Sequence, residues 1–411
     1  VSIEMPHYRR SALVIAVSFA FSVGVAAQEP VGSNVQPDTS SSAPGWTLTP
    51  AFGYAATYDD NVSLFAVRTA EEQNDDFISM YRPALSIDYS GKHSRFGADY
   101  SGSLLSYRTF TSLNRWDQHG KITFRRQETA RLKWFARGSA SALPSTDLID
   151  LGGIPYRHTG ARTVDGRGGV EFTISARDGL TSSMMYQVVD FDRAADAPTS
   201  LRGGYVLESL NVWRHKFGPR LSVGTDYSLR RAAVTGDVEQ FSIHATEGGV
   251  DLELSPAWTF SGGAGVAYLE STATTDSRTG PAWRASLERH RGSAVFNVRY
   301  VRSFVPSFGF GGTIQNQEAG VGYRTPLFGS RHWYTDQSAV FRDDKPLTSI
   351  FQQLPLRSLR TNSVLGWEPQ PWMRLEVFYA RVQQTSLRFA SQLYRNRVGF
   401  QIVTSKPMRV S

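Results

Sequence analysis

From residue 46 onward the chain alternates. In "WTLTPAFGYAATYDDN" (46–61), Trp46, Leu48, Pro50, Phe52, Tyr54, Ala56 and Tyr58 fall on one side, and Thr47, Thr49, Ala51, Gly53, Ala55 and Thr57 on the other. A period of two marks a strand, because successive side chains point to opposite faces. In a soluble sandwich the second face carries long charged side chains toward water. Here it carries Thr, Ala and Gly, which suits a wall around a wet, crowded interior, so the pattern predicts a barrel with its apolar side outward.

The unit repeats along the chain. Short connections rich in Gly, Pro, Asp and Ser fall at 90–94, 127–131, 176–179, 217–220, 255–257, 289–293, 328–332 and 368–371. They alternate with longer ones near 58–75, 108–115, 143–162, 192–204, 231–240, 271–282, 303–315, 342–358 and 385–392. The short ones hold the residues that tight turns require. Eight short and nine long connections join eighteen strands. This is the wiring of an up-and-down antiparallel transmembrane β-barrel, all-β, with short periplasmic turns and long extracellular loops. An even strand number puts both ends on the periplasmic side. "LSVGTDYSLR" (221–230) and "LYRNRVGFQIV" (393–403) alternate cleanly, whereas 205–217 and 333–341 are ambiguous. Near Gly248 and Gly249 the phase slips, which predicts a bulge.

Tryptophan gives an independent sign of the same topology. Trp46, Trp134, Trp213, Trp258, Trp333, Trp367 and Trp372 lie beside short connections, and Trp116 and Trp283 beside long ones. Indole prefers the headgroup level of a bilayer, where its ring is half buried and its N–H is wet. The first seven are therefore expected to form a girdle at the periplasmic interface.

Composition narrows the compartment and the chemistry. Arg9 and Arg10 after Met5, the apolar run "SALVIAVSFAFSVGV" and small residues up to Ala27 read as a cleaved signal peptide over 1–27. Residues 28–45, rich in Ser, Pro and Gly, read as a flexible periplasmic linker. The barrel is expected over 46–405, followed by a C-terminal tail at 406–411. A hydrophobic share of 40% excludes a bundle of membrane helices but not a barrel with a polar lumen. With no cysteine, the chain has no disulfides, thiolate metal sites or cysteine nucleophile, and must rely on a core or a closed ladder. The net charge of +7 falls by one when 1–27 is removed, an excess that singles out no partner. No nucleic-acid partner is expected.

Catalytic patterns are sparse. There is no G-x-S-x-G, H-E-x-x-H or EF-hand spacing, so no catalytic residue, no cofactor and no enzymatic activity are expected. A hydrolase site assembled from distant loop ends is the remaining enzymatic alternative. Asp59 and Asp60, with Asp75 and Asp76 across the loop, offer hard oxygen ligands for a cation. The same residues end a strand and cap local N–H groups, and this structural reading is favoured.

The polar face of each strand, assigned to the lumen, holds Arg82, Arg95, Lys133, Arg137, Arg167, Arg230, Arg284, Arg299, Arg324, Arg360, Arg374, Arg395 and Arg397. The acids there are Asp88, Asp99, Asp165, Glu171, Asp226, Asp251, Glu253, Glu288, Glu318 and Glu376. Many of these should pair across strands. The small basic surplus makes Arg82, Arg95, Arg137, Arg299, Arg324, Arg374, Arg395 and Arg397 the pore-lining candidates, and a ring of charge biases which ions pass. The arginines of the last third are expected to form a basic stripe.

"YDDNVSLF" after the first strand, the Ser- and Pro-rich lead-in, and the closing "RNRVGFQIVTSKP" resemble the β-barrel porins found with exopolysaccharide or PEP-CTERM-type surface systems. The resemblance spans Trp46 to Pro407 and brings no catalytic residues. It implies an outer-membrane barrel with a part in surface polysaccharide export, with partners among outer-membrane lipid and lipopolysaccharide, the barrel-assembly machinery and polysaccharide-export components. Many such barrels end on an aromatic residue. This chain ends "SKPMRVS", which would leave Phe400 as the insertion signal. The expected function is a channel for a polar, anionic or polysaccharide solute. The alternative is a non-conducting scaffold barrel closed by inward loops such as 144–160.

Overall fold

Alternating segments become strands of 12 to 16 residues, each hydrogen-bonded to its sequence neighbours. The computed structural model describes residues 44–64, 74–143, 159–192, 201–234, 240–271, 277–308, 312–330, 332–347, 355–386 and 391–410. The segment expected as a signal peptide, nearly all of the expected linker and 144–158 lie outside these. In chain order the strands are β1 (Gly45–Asp59), β2 (Asp76–Ser90), β3 (Ser94–Tyr107), β4 (Arg115–Gln127), β5 (Leu132–Leu143), β6 (Ala161–Thr173), β7 (Asp178–Phe191), β8 (Gly204–Lys216) and β9 (Leu221–Val234). They continue with β10 (Gln240–Ser255), β11 (Trp258–Ser271), β12 (Arg278–Arg291), β13 (Ala294–Pro306), β14 (Thr313–Pro326), β15 (Trp333–Pro346), β16 (Leu356–Gln370), β17 (Met373–Ser386), β18 (Ser391–Ser405) and the short β19 (Met408–Val410).

The barrel closes where β1 pairs β18, from Ala51↔Ser405 to Asp59↔Arg397. The segment expected as a tail contributes to that closure: Met408–Val410 pairs with Trp46–Leu48, covering the part of β1 that β18 does not reach. The result is a closed barrel of eighteen long antiparallel strands, with β19 as a patch on the seam.

The outward face carries the large apolar side chains. Phe52, Phe77, Tyr100, Ile122, Val164, Met184, Val266 and Val377 are all exposed, and such a band on a closed wall is what lipid requires. The seven tryptophans expected in the girdle all stand in short turns or toward the short-turn ends of their strands. Trp46 packs on Tyr89 at 4.8 Å, Trp333 stacks on Trp367 at 5.7 Å, and Arg289 lies 5.3 Å over Trp258. Two of the short turns need glycine for its left-handed backbone, at Gly292 (φ 60°) and Gly329 (φ 63°).

Three departures from simple alternation have physical causes. In β8, Ser209 and Asn211 share the outward face with Tyr205 and Trp213. Ser182 of β7 donates to Asn211 at 2.8 Å, so these polar groups satisfy one another. In β15, Thr335 and Gln337 do the same at 2.7 Å. No bulge forms at Gly248 and Gly249: the β10–β11 register is unbroken from Phe241↔Ser271 to Glu253↔Thr259 and shifts only between Glu253 and Ser255. The polarity inverts there instead. Phe241 and Ile243 point into the lumen and are buried, which mimics a phase slip.

Charge on the lipid face should therefore be costly and charge in the lumen cheap. Phe52→Arg or Val398→Arg should lose about 2–4 kcal/mol and Ser101→Arg little, read by heat-modifiability gels. Equal losses would reverse the two faces. Because Asn61 is fully buried, topology is better read at Ser112 and Lys92, both exposed. A cysteine at Ser112 should react with an impermeant maleimide on intact cells, and one at Lys92 only after the outer membrane is opened.

Candidate functional site in the lumen

The lumen is narrowed from its extracellular end by a strand that leaves the wall. The β12–β13 ladder stops at Trp283↔Arg302, although β13 runs on to Pro306 paired with β14. Beyond Arg302 the chain turns inward: Phe304, Val305, Ser307 and Phe308 are all buried. Arg230 of β9 donates to the Phe304 carbonyl at 3.2 Å, so the segment reaches across the inner faces of β10 to β12. The Phe304 ring lies against Gly280, and the Phe308 ring against Gly204, each too close for any side chain there. Val189, Val206, Ile243, Leu269 and Ala282 complete an apolar core inside the barrel. A smaller cover forms opposite. Val62, with its N–H on the Asn74 carbonyl at 2.7 Å, packs on Ile78, Leu105 and Tyr107.

On the periplasmic side of these covers the lumen is charged. Glu208 is buried between Arg167 and Arg230, at 2.5 Å from each. Asp226 is shared by Arg214 and Arg284, and Arg284 also reaches Glu247 at 3.4 Å. Glu318 bridges Arg299 at 2.8 Å and Arg342 at 2.6 Å. Glu376 takes Arg374 at 3.1 Å and hydrogen bonds from Tyr334 and Gln401. Arg324 lies 4.2 Å over the Tyr334 ring and 3.5 Å from Glu368.

The basic residues expected in the lumen all fall on inward-facing positions, but they divide into two groups. Those of the last third, Arg299, Arg324, Arg374, Arg395 and Arg397, each reach a carboxylate. Arg82, on β2, instead donates to Gln401 at 3.1 Å. Arg82, Arg95 and Arg137 have no carboxylate within ion-pair distance among the described residues, and neither has Lys121 on the same wall. Several partners escaped the sequence reading, among them Glu208, Arg214 and Arg342. They belong to β8 and β15, the two strands whose outward polar residues blurred the alternation. Strict parity carried through those strands would have found them.

Asp59 and Asp60 are committed to the chain's own donors. Asp59 receives Arg395 at 2.5 Å, Arg397 at 3.0 Å and the Asn61 N–H at 3.1 Å. Asp60 receives the backbone and side-chain nitrogens of Asn396, both at 2.7 Å. Among the described residues no group of three His, Cys, Asp or Glu converges as metal ligands would. The acids that end β1 thus lock it to β18 at the extracellular rim.

No family model matches the chain, and no curated protein sequence does. Among solved structures, OpdO of Pseudomonas aeruginosa aligns over 89% of this chain and 98% of its own, at 13% identity and a TM-score of 0.47. OccAB4 of Acinetobacter baumannii covers 90% and 99%, at 9% identity and 0.48. OccK9 (OpdG) of Pseudomonas aeruginosa covers 88% and 98%, at 10% identity and 0.47.

The Glu208 triad gives a direct test of the buried charge. Glu208→Gln would leave Arg167 and Arg230 without their counter-charge, and should cost about 3–5 kcal/mol in urea unfolding of the refolded barrel. Glu288→Gln, on a half-exposed carboxylate near a short turn, should change stability by less than about 0.5 kcal/mol.

Proposed function

We propose that the chain is an outer-membrane channel for small polar solutes, with a preference for anions. The observation that carries this is the asymmetry of the lumen. One wall holds arginines clamped by carboxylates, while Arg82, Arg95, Lys121 and Arg137, on β2 to β5, have no described carboxylate at ion-pair distance and outnumber the acids that share the inward faces of those strands, Asp88, Asp99 and Asp117. A charge lining a narrow wet path acts over about 8 Å at physiological salt, so the cationic surplus on this wall biases permeation even in a passage wider than the ion. A closed barrel of this strand number has room for an aqueous path.

The covers at the extracellular end argue for size. Phe304 and Phe308 are packed in a core that a polysaccharide chain would have to displace, whereas a small solute can pass beside it. The resemblance to porins of surface-polysaccharide systems is therefore read as kinship of the wall, with the cargo set by the inward segment. The same core is the observation that favours the second reading, a closed scaffold barrel. Here the closing element would be 304–308, since 144–158 lies outside the described residues.

Planar bilayers separate the two. The wild type should conduct and give an anion-selective reversal potential in a KCl gradient. Arg82→Gln, Lys121→Gln and Arg137→Gln together should abolish most of that preference, and Arg299→Gln should leave it nearly unchanged. Phe308→Ala should raise the single-channel conductance. A wild type without conductance that opens in Phe308→Ala would mark the scaffold reading as correct.

A further inference from the structure

The outward face changes in steps toward the short-turn, periplasmic end of β11 to β14. One rung of the ladder sets Phe260, Leu287, Val298 and Val321 side by side. The next rung, two residues closer to the turns, sets Trp258, Arg289, Phe296 and Tyr323 in line. Arg291, paired with Ala294, follows as the last residue of β12. Val298, Val321 and Tyr323 are exposed, which identifies this face as the lipid-facing one. From Leu287 to Arg291, about 14 Å of strand, the wall passes from apolar to aromatic to cationic.

Two features set this part of the rim apart. Arg289 lies 5.3 Å over the Trp258 ring, and neither it nor Arg291 has a carboxylate at ion-pair distance among the described residues. Glu253 and Glu288 belong to the lumen face, where Glu288 lies 3.5 Å from His290. Arg126, an outward cation at the corresponding end of β4, is instead paired with Glu128 at 2.8 Å. The second feature is apolar. Leu254, beside the β10–β11 turn, is 54% exposed, and Phe328, in the β14–β15 turn, is 85% exposed. Side chains of this kind on both flanks suit a membrane boundary and not open water.

We propose that Arg289 and Arg291 bind the phosphate of an anionic phospholipid in the periplasmic leaflet. A guanidinium stacked on an indole keeps an edge free, and that edge fits two phosphate oxygens. Arg291, exposed one step beyond, brings a second positive charge to the same head group. Trp258 and Tyr323 sit where head group meets acyl chain, and the apolar rung beneath them receives the chain. With two cations and no described acid on the outward face beside them, a head group of net negative charge is favoured over a zwitterionic one. The site depends on the membrane placement of the wall and not on whether the lumen conducts.

The test is native mass spectrometry of the purified full chain in detergent. It is titrated with phosphatidylglycerol, with phosphatidylethanolamine of the same acyl chains, and with inorganic phosphate. The wild type should retain phosphatidylglycerol at least about tenfold more tightly than phosphatidylethanolamine. Arg289→Gln with Arg291→Gln should remove that preference, while Arg126→Gln and the lumenal Arg137→Gln should keep it. Equal retention of the two lipids by the wild type, or an undiminished preference in the double variant, would overturn the proposal. Displacement by inorganic phosphate alone would make the site one for a free anion and overturn the lipid assignment. Should the double variant fail to refold, Arg291→Gln alone, at an exposed position, should still weaken the preference, and its full retention would count against the site.

Discussion

Every backbone N–H and C=O that enters hydrocarbon must find its partner within the chain. The pairing of β1 with β18, completed by β19, meets that demand for the whole wall at once. An open sheet of the same strands would leave two rows of orphan groups in lipid. Closure also fixes what each residue can do. With no edge and a period of two, every side chain is committed to lipid or to lumen, and a one-residue slip would exchange the two sets. The Asp59 pairs with Arg395 and Arg397 lie on this seam, across 336 and 338 positions of sequence, so the strongest charges at the rim hold the closure together.

That constraint explains how much of the fold was legible. Strand number, turn positions and the two faces follow from alternation, because a lipid-facing wall permits few other patterns. The reading faltered where a second environment was superimposed. Phe241 and Ile243 of β10 are apolar yet inward, since Phe304 and Phe308 reach the same part of the lumen. Alternation reports the polarity of what a face touches, and at that end the inner face touches protein rather than water. An apparent bulge at Gly248 and Gly249 was thus the trace of a lumenal core, visible in the sequence but not interpretable without the segment that makes it.

The candidate site was legible to a different degree. Parity assigns each arginine to a face, but it does not say which carboxylate stands opposite. Glu318 meets Arg299 and Arg342 from the two strands flanking it, whereas Glu376 is also reached by Tyr334, two strands away. Such contacts depend on side-chain reach across the curved wall and on stagger between strands, which no local pattern encodes. The consequence reverses the expected stripe. The arginine-rich last third is also rich in acids positioned to meet it, while on the β2–β5 wall Arg82, Arg95, Lys121 and Arg137 stand without a described carboxylate at ion-pair distance.

The inward turn of β13 joins the two faces of the wall. A strand that leaves the ladder at Arg302 gives up pairing with Arg278–Ala282, a loss that the wall tolerates because it falls at the extracellular rim, where head groups and water can serve the freed backbone. Burial of Phe304 and Phe308 inside offsets that loss, and the Arg230 bond to the Phe304 carbonyl ties the segment to the same triad that holds Glu208. The aromatic rings packed in the lumen and the break in the ladder beside Arg278–Ala282 are therefore two sides of one displacement. The fit of Phe304 against Gly280 and of Phe308 against Gly204 holds the segment in that place, so one stretch of backbone sets both the lumenal core and the end of the β12–β13 ladder.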